Sequence, residues 1–254
     1  KGVEVIFHLA ALIAIPYSYR TPLSYIRTNV EGTVNMLQAA IDENVNLFVH
    51  TSTSEVYGTA QYIPINEDHP LQGQSPYAAS KIGADKMAES FHLSYGLPLA
   101  ILRPFNTYGP KQSARAVIPT IITQALTESE MKLGSLEPTR DFNYIADTVE
   151  GFIRIAQSPD SIGQVVNVGS GRETSINDVA TIVMSLIGKT VPIAHSSERV
   201  RPKTSEVERL CADNSKAARL LNWSPQTSLE DGIGKTIEWI QSNIERYRTG
   251  LYTI

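Results

Sequence analysis

Cysteine is nearly absent: the 254 residues contain one, Cys211, which excludes an internal disulfide framework and any cysteine-rich zinc site. The five histidines are scattered, with no His-Glu-x-x-His arrangement, so no metal site is assigned and a metal hydrolase is not expected. Net charge is only −4, which leaves no basic footprint for nucleic acid. No apolar run approaches the length that crosses a bilayer, and no signal peptide is visible. A soluble, cytoplasmic protein without a membrane partner is the expectation. Nothing recurs at a fixed period. A glycine-rich phosphate turn is missing as well. The chain opens on Lys1-Gly-Val-Glu-Val-Ile-Phe-His-Leu-Ala-Ala11, which reads as a buried strand with no helix or Gly-x-Gly-x-x-Gly before it. The later Gly169-Ser-Gly171 lacks a third glycine and an acidic residue about 20 positions on, so it reads as a turn after the strand at 164–168.

What is present is a core-forming, alternating pattern. Apolar residues make up 42% of the chain, enough to bury a substantial core in one large or two small domains. Val30, Val34, Leu37, Ala40 and Ile41 recur at helical spacing within 22–44. Strands are predicted at 46–53 and 97–103, with Pro98 at the edge or start of the latter. Between them, Pro76 at a first helical position and Gly96 as a stop bracket a helix over 76–95. Further helices are predicted at 117–126, 146–157, 175–187, 213–221 and 229–247, with a short strand from Met131. Near-continuous apolar strands alternating with helices argue for a parallel sheet covered on both faces. Ligands then bind at the carboxyl ends of the strands. Ala10-Ala11, Thr51 to Glu55, and Pro104 to Asn106 all fall at such ends, which gathers three distant segments into one crevice.

The chemistry centres on Thr51-Ser-Thr-Ser-Glu55-Val-Tyr-Gly58 and Ser75-Pro-Tyr77-Ala-Ala-Ser-Lys81. Tyr77 and Lys81 share one helical face a turn apart. An ammonium beside a phenol favours the phenolate, so Lys81 is expected to lower the Tyr77 pKa. Thr53, at a strand end, could bond the same substrate oxygen. Together they would remove a proton from an alcohol while its carbon gives up hydride. The plain alternative is a half-buried Tyr beside a solvated Lys.

At these residues the chain resembles the extended short-chain dehydrogenase/reductase family, the nucleotide-sugar epimerases and dehydratases. The resemblance runs through His8-Leu-Ala-Ala11, Asn29-Val-Glu-Gly-Thr33, both segments above, Arg103-Pro-Phe-Asn-Thr-Tyr-Gly-Pro110, Arg140-Asp141 and Ala212-Asp-Asn-Ser-Lys216. It is nearest to the sugar-nucleotide 4,6-dehydratases acting on N-acetylglucosamine nucleotides of the legionaminic-acid type. The resemblance implies an α/β, Rossmann-like doubly wound parallel sheet, here missing its N-terminal strands and the glycine-rich loop, with a smaller C-terminal substrate domain. Residues 1–109 and about 141–171 would form the partial dinucleotide domain, and about 110–140 with 172–254 the substrate domain.

It also implies site roles. Ala10, Ala11, Asn29, Tyr77, Lys81 and Pro104 would meet the cofactor, although Asn29 on local chemistry is equally a helix cap. NAD is expected, with NADP as the alternative, because the ribose-reading residue would lie in the missing segment. Asn106, Arg115, Val117, Arg140 and Arg201 would line the nucleotide-sugar site, the arginines offering forks suited to diphosphate oxygens. A homodimer would form on the helices containing 29–43 and 76–95.

Glu55 decides the reaction type. Oxidation at C4 acidifies C5–H, and a carboxylate two residues beyond Thr53 can remove it. Dehydratases that the chain resembles carry Glu there; the epimerases usually do not. Glucose-nucleotide dehydratases place Asp before it, whereas this chain has Ser54, as in the mannose-nucleotide enzymes. Glu55, once protonated, is therefore expected to give its proton to the leaving C6 oxygen, with Ser54 orienting or relaying it. The rival expectations are a 4-epimerase and a fragment unable to hold cofactor.

Overall fold

A computed structural model describes residues 2–247. Strand β1 (Val5–His8) leads through two short turns, α1 (Ile15–Ser18) and α2 (Pro22–Tyr25), into a π-helical turn (Ile26–Glu31) and α3 (Gly32–Asp42). The single helix predicted over 22–44 is thus broken in its first half. Next come β2 (Leu47–Thr51), a 3-10 turn (Ser54–Tyr57), α4 (Pro76–Tyr95) and β3 (Leu99–Pro104). The middle of the chain holds β4 (Asn106–Tyr108), α5 (Val117–Thr127), β5 (Met131–Leu133), β6 (Thr139–Arg140), β7 (Phe142–Tyr144) and α6 (Ile145–Gln157). Then follow β8 (Val165–Val168), β9 (Thr174–Ser175), α7 (Ile176–Ile187), β10 (Ile193–His195), α8 (Ser215–Leu221) and α9 (Leu229–Ser242).

The main sheet has four parallel strands in the order β1-β2-β3-β8. Successive side chains on a strand face opposite ways. Phe48, Leu99 and Ile101 accordingly pack with Leu37, Ala40, Ala88 and Phe91 of α3 and α4. Val49, Ala100, Leu102 and Val166 pack on the other face with Ile155 of α6, Ala217 of α8 and Trp223. Both faces are covered, as a parallel sheet requires.

The opening strand is not buried as its apolar run suggested. β1 is a sheet edge, with Val5 36%, Phe7 41% and Leu9 60% exposed, because among the described residues no strand lies beyond it.

A second core gathers α5, α7 and α9 around Ile118, Ile121, Ile122, Val179, Val183, Ile233 and Ile237. Here too the structure redraws the sequence-based boundaries. Tyr108, Phe142 and Tyr144, assigned to the sheet region, belong to this core, while α8 and Trp223, assigned to the second region, lie on the main sheet. β4 pairs in parallel with β7 and carries the chain out of the sheet directly after Pro104. α9 approaches it so closely that a Cβ on Gly232 would collide with the Tyr108 ring, which explains glycine inside that helix.

Candidate active site

The 3-10 turn follows directly on β2. Its first amide is capped from outside: Glu55 N donates to Thr53 Oγ1 at 3.2 Å. Gly58 closes it at φ +63°, where an added Cβ would strike Gln72 and Gln74. Ser54, Glu55, Val56 and Tyr57 are all buried. α4 starts on a Ser75 cap, whose Oγ accepts from Ala78 N at 3.1 Å, with Pro76 at its first position. That start points Tyr77 and Lys81 inward, at 7% and 4% exposure. The Thr53 hydroxyl and the Glu55 carboxylate both lie close enough to the Tyr77 phenol to act on its ionisation. Among the described residues the Glu55 carboxylate has no hydrogen-bond partner. Thr53, Glu55 and Tyr77 therefore converge, as their sequence positions suggested.

The expected effect of Lys81 on Tyr77 is not found. Burial pushes the Tyr77 phenol up; the Thr53 hydroxyl opposes that, and the Glu55 and Asp85 charges add to it. Lys81 points instead to the end of β2, donating to Thr51 O at 2.6 Å. Its own pKa is lowered by burial and supported by Asp85. With three donors on an ammonium and one protein acceptor, Lys81 keeps hydrogens for a ligand.

Beneath these residues lies a buried polar network that the sequence analysis missed. Asp85, one turn past Lys81, accepts from Ser52 Oγ at 2.6 Å, from Arg103 Nη2 at 3.0 Å and from His50 Nε2 at 3.2 Å. Arg103 Nη1 donates to the Tyr57 hydroxyl at 3.0 Å, and that hydroxyl donates to Asn167 Oδ1 at 2.7 Å. Arg103 also lies 5.1 Å from the Tyr57 ring centroid. Although burial opposes ionisation, the bonds from His50 and Ser52 and the Arg103 charge hold Asp85 at about 2. A signal existed: a charged residue ending the apolar run Leu99-Ala-Ile-Leu-Arg103 must find a partner if the strand is buried.

Asn29 is neither a helix cap nor open to a cofactor. It lies in the π-helical turn, and its amide is used inside the protein, accepting from Leu12 N and donating to Leu12 O and Ser80 Oγ. It holds the segment after β1 against α4. Ala10 and Ala11 follow β1, and Pro104 ends β3, on the same side of the sheet as Thr53. Asn106 Oδ1 and Thr51 Oγ1 are buried without hydrogen-bond partners, the condition of groups that await a ligand.

The substrate-side cations are partly gathered. Arg140 Nη2 donates to Glu206 Oε1 at 2.9 Å, and Arg201 Nη1 lies 3.5 Å from the same oxygen. The two predicted phosphate ligands thus share a carboxylate that the sequence analysis overlooked. Ser205 bonds Gln74 O and, at 2.6 Å, Tyr19, so this segment sits against the start of α4. Arg115 is exposed and acts on Tyr25, whose ring meets Tyr77 edge-on at 6.3 Å. Val117 is half-buried in the first turn of α5. Asp141 is structural: its carboxylate takes the amides of Gly171 and Ala212 at 2.8 and 2.9 Å, confirming Gly169-Ser-Gly171 as a turn after β8.

The family model described as GDP-mannose 4,6 dehydratase matches residues 2–236. The chain belongs to the extended short-chain dehydrogenase/reductase family of nucleotide-sugar dehydratases and epimerases. The UDP-glucose 4-epimerase of Mycolicibacterium smegmatis is 35% identical over 244 residues, 94% of this chain and 76% of that protein. The structure of DesIV, a dTDP-glucose 4,6-dehydratase from Streptomyces venezuelae with NAD and TYD bound, superposes with a TM-score of 0.91 at 31% identity, over 98% of this chain and 76% of that one. TunA, an NAD-dependent NDP-hexosamine 5,6-dehydratase involved in tunicamycin biosynthesis, superposes at 0.88 with 34% identity, over 95% and 78%. The family thus brings a Rossmann-type parallel sheet to this chain, and its members divide between dehydration and epimerisation.

Proposed function

We propose that the protein is a nucleotide-sugar 4,6-dehydratase acting on an N-acetylglucosamine nucleotide, with UDP or GDP as the carrier. One observation carries the choice of dehydration. Glu55 is buried at 8% exposure, unpaired, and within electrostatic reach of Tyr77. A carboxylate that no protein group binds among the described residues, set beside an alcohol-oxidising phenol, has its lone pairs available to a substrate proton, which argues for use as a base. The hexosamine assignment rests on the family resemblance and on the likeness to TunA.

NAD fits the residues at hand through its nicotinamide ribose, toward which Lys81 has hydrogens to give and beside which Ala10, Ala11 and Pro104 would lie. No glycine-rich turn for its pyrophosphate occurs among the described residues. When bound, NAD would supply a positive charge favouring the Tyr77 phenolate and the capacity to take up a hydride and give it back.

The chain's own residues do the rest. Tyr77, in its phenolate form with Thr53 alongside, takes the O4 proton as C4 becomes a ketone. Glu55 removes the acidified C5 proton and passes it to the C6 hydroxyl, which leaves as water, with Ser54 orienting that transfer. The proton held on Tyr77 balances the one that C5 takes back. Arg140 and Arg201 hold the diphosphate, Asn106 offers its free carbonyl to a ligand hydroxyl, and Val117 and Arg115 border the nucleotide. Exposed Leu93 and Tyr95 on α4 and Met36 on α3 suit the homodimer expected there, which light scattering would test.

The deciding experiment incubates the protein with NAD and a panel of nucleotide sugars and weighs the products. Loss of one water supports dehydration; an unchanged mass with inverted C4 would make the protein an epimerase. Substrate deuterated at C4 separates the two dehydrations, since the label reaches C6 in a 4,6-dehydratase and returns to C4 in a 5,6-dehydratase.

A further inference from the structure

The Thr53–Tyr57 segment is tied to α4 and β3 at both ends. In front, Lys81 holds Thr51 O and Asp85 holds Ser52 Oγ, the two residues that lead into Thr53. Behind, Arg103 and Asn167 hold the Tyr57 hydroxyl, two residues past Glu55. One ion pair, Asp85 with Arg103, joins the two ends. Every member except Thr51 and the Lys81 head lies at 3% exposure or less. The Glu55 carboxylate has no such bond; its backbone amide is held by Thr53 Oγ1 and its carbonyl accepts from Gly58 N at 3.3 Å. Nothing on the Glu55 side chain fixes its direction, so the ends of the turn must.

We infer that Tyr57, through the Asp85–Arg103 pair, is a positioning residue that aims the Glu55 carboxylate at the Tyr77 cleft. Tyr57 touches no substrate. Its hydroxyl is the one atom that links the rear of the turn to both Arg103 and Asn167; Gln72 N also holds Val56 O at 2.8 Å, so removing the hydroxyl loosens that end rather than releasing it, while the ring still fills its space. The effect on elimination rests on the dehydratase reading; the clamp itself does not.

The test has two arms. Hydrogen exchange on the free protein reads the clamp without substrate. In Tyr57→Phe, the amides of Glu55, Val56 and Gly58 should exchange about tenfold faster while those of β2 and β3 hold, a local opening rather than a global loss. Product analysis reads the consequence. Water release should fall about tenfold to a hundredfold, the scale of a small misplacement of a reacting group, with C4 oxidation nearly unchanged. In a Glu55→Gln background the same substitution should cause no further fall, because it acts through Glu55. Ser52→Ala, which frees the front end, should act in the same direction and covers the case in which Tyr57→Phe fails to fold. Unchanged exchange at the turn overturns the proposal, as does an equal rise throughout the sheet, or an equal slowing of oxidation and elimination. Fast local exchange in a protein that releases no water supports the clamp and rejects the dehydratase reading.

Discussion

The two cores are built on different physics. Around α5, α7 and α9 the packing is aliphatic and aromatic, and buried hydroxyls such as Thr123 and Thr236 bond back to their own helices, at Pro119 O and Gly232 O. Under the Tyr77 cleft the interior instead holds His50, Asp85, Arg103 and Asn167 at 2% exposure or less, bonded to one another or through Tyr57. Hydrophobic packing is non-directional and tolerates small shifts, whereas a buried ionic network holds only when every partner is in place. A site that must align a phenol, a hydroxyl and a carboxylate gains direction from the second kind. The arginines proposed for the diphosphate are held more loosely, Arg201 being part-exposed with Glu206 between it and Arg140.

Five measurements sharpen or break this contrast. Glu55→Gln should reduce water release about a thousandfold, the middle of the range for a lost general base, while oxidation at C4 continues. If both steps fall together, Glu55 is not the base. Asp85→Asn should destabilise the protein by about 3–5 kcal/mol in urea unfolding, because it strands Arg103 without its buried counter-charge. Ile121→Ala, in the apolar core, should cost about 3 kcal/mol through the cavity it opens, and leave the ratio of water loss to oxidation untouched. A changed ratio there would erase the distinction between the cores. Arg140→Lys should weaken nucleoside diphosphate binding about tenfold in calorimetry, since a point charge replaces a fork.

The smallest effect concerns pH. Burial, with help from His50 and Lys81, lowers His8 from 6.5 to about 4. Folded His8 therefore stays neutral where the unfolded chain takes a proton. Its contribution destabilises as pH falls from 6.5 toward 4 and is absent above that window. His8→Asn should remove about 2 kcal/mol of that acid sensitivity, allowing for partial screening. An unchanged pH profile of the melting temperature would assign the sensitivity elsewhere.

Much of the layout was readable because it is local. Pro76 and the stop at Gly96 delimited α4 to the residue, and the 4-residue spacing put Tyr77 and Lys81 on one face. The ends of β1, β2 and β3 lie on one side of the sheet, as their reading as parallel strands implied. What stayed hidden was long-range. The break of 22–44 by a π-helical turn is set by Asn29 bonding Leu12 and Ser80, contacts no helical periodicity encodes. The rise in the Tyr77 pKa came from burial and from the Glu55 and Asp85 charges, none of them visible in the Tyr–Lys spacing. Glu206 lies 66 positions from Arg140 and reads in sequence as one acid among many.

By itself the chain's order of residues determined which chemistry is available: a phenol and an ammonium on one helical face, and a hydroxyl and a carboxylate just past an apolar strand, since side-chain type and local spacing need no partner. The fold alone decided how they are used. It turned Lys81 toward the backbone, paired the two arginines through Glu206, and left Glu55 unbonded beside Tyr77, because burial and charge pairing arise only when distant segments share one interior.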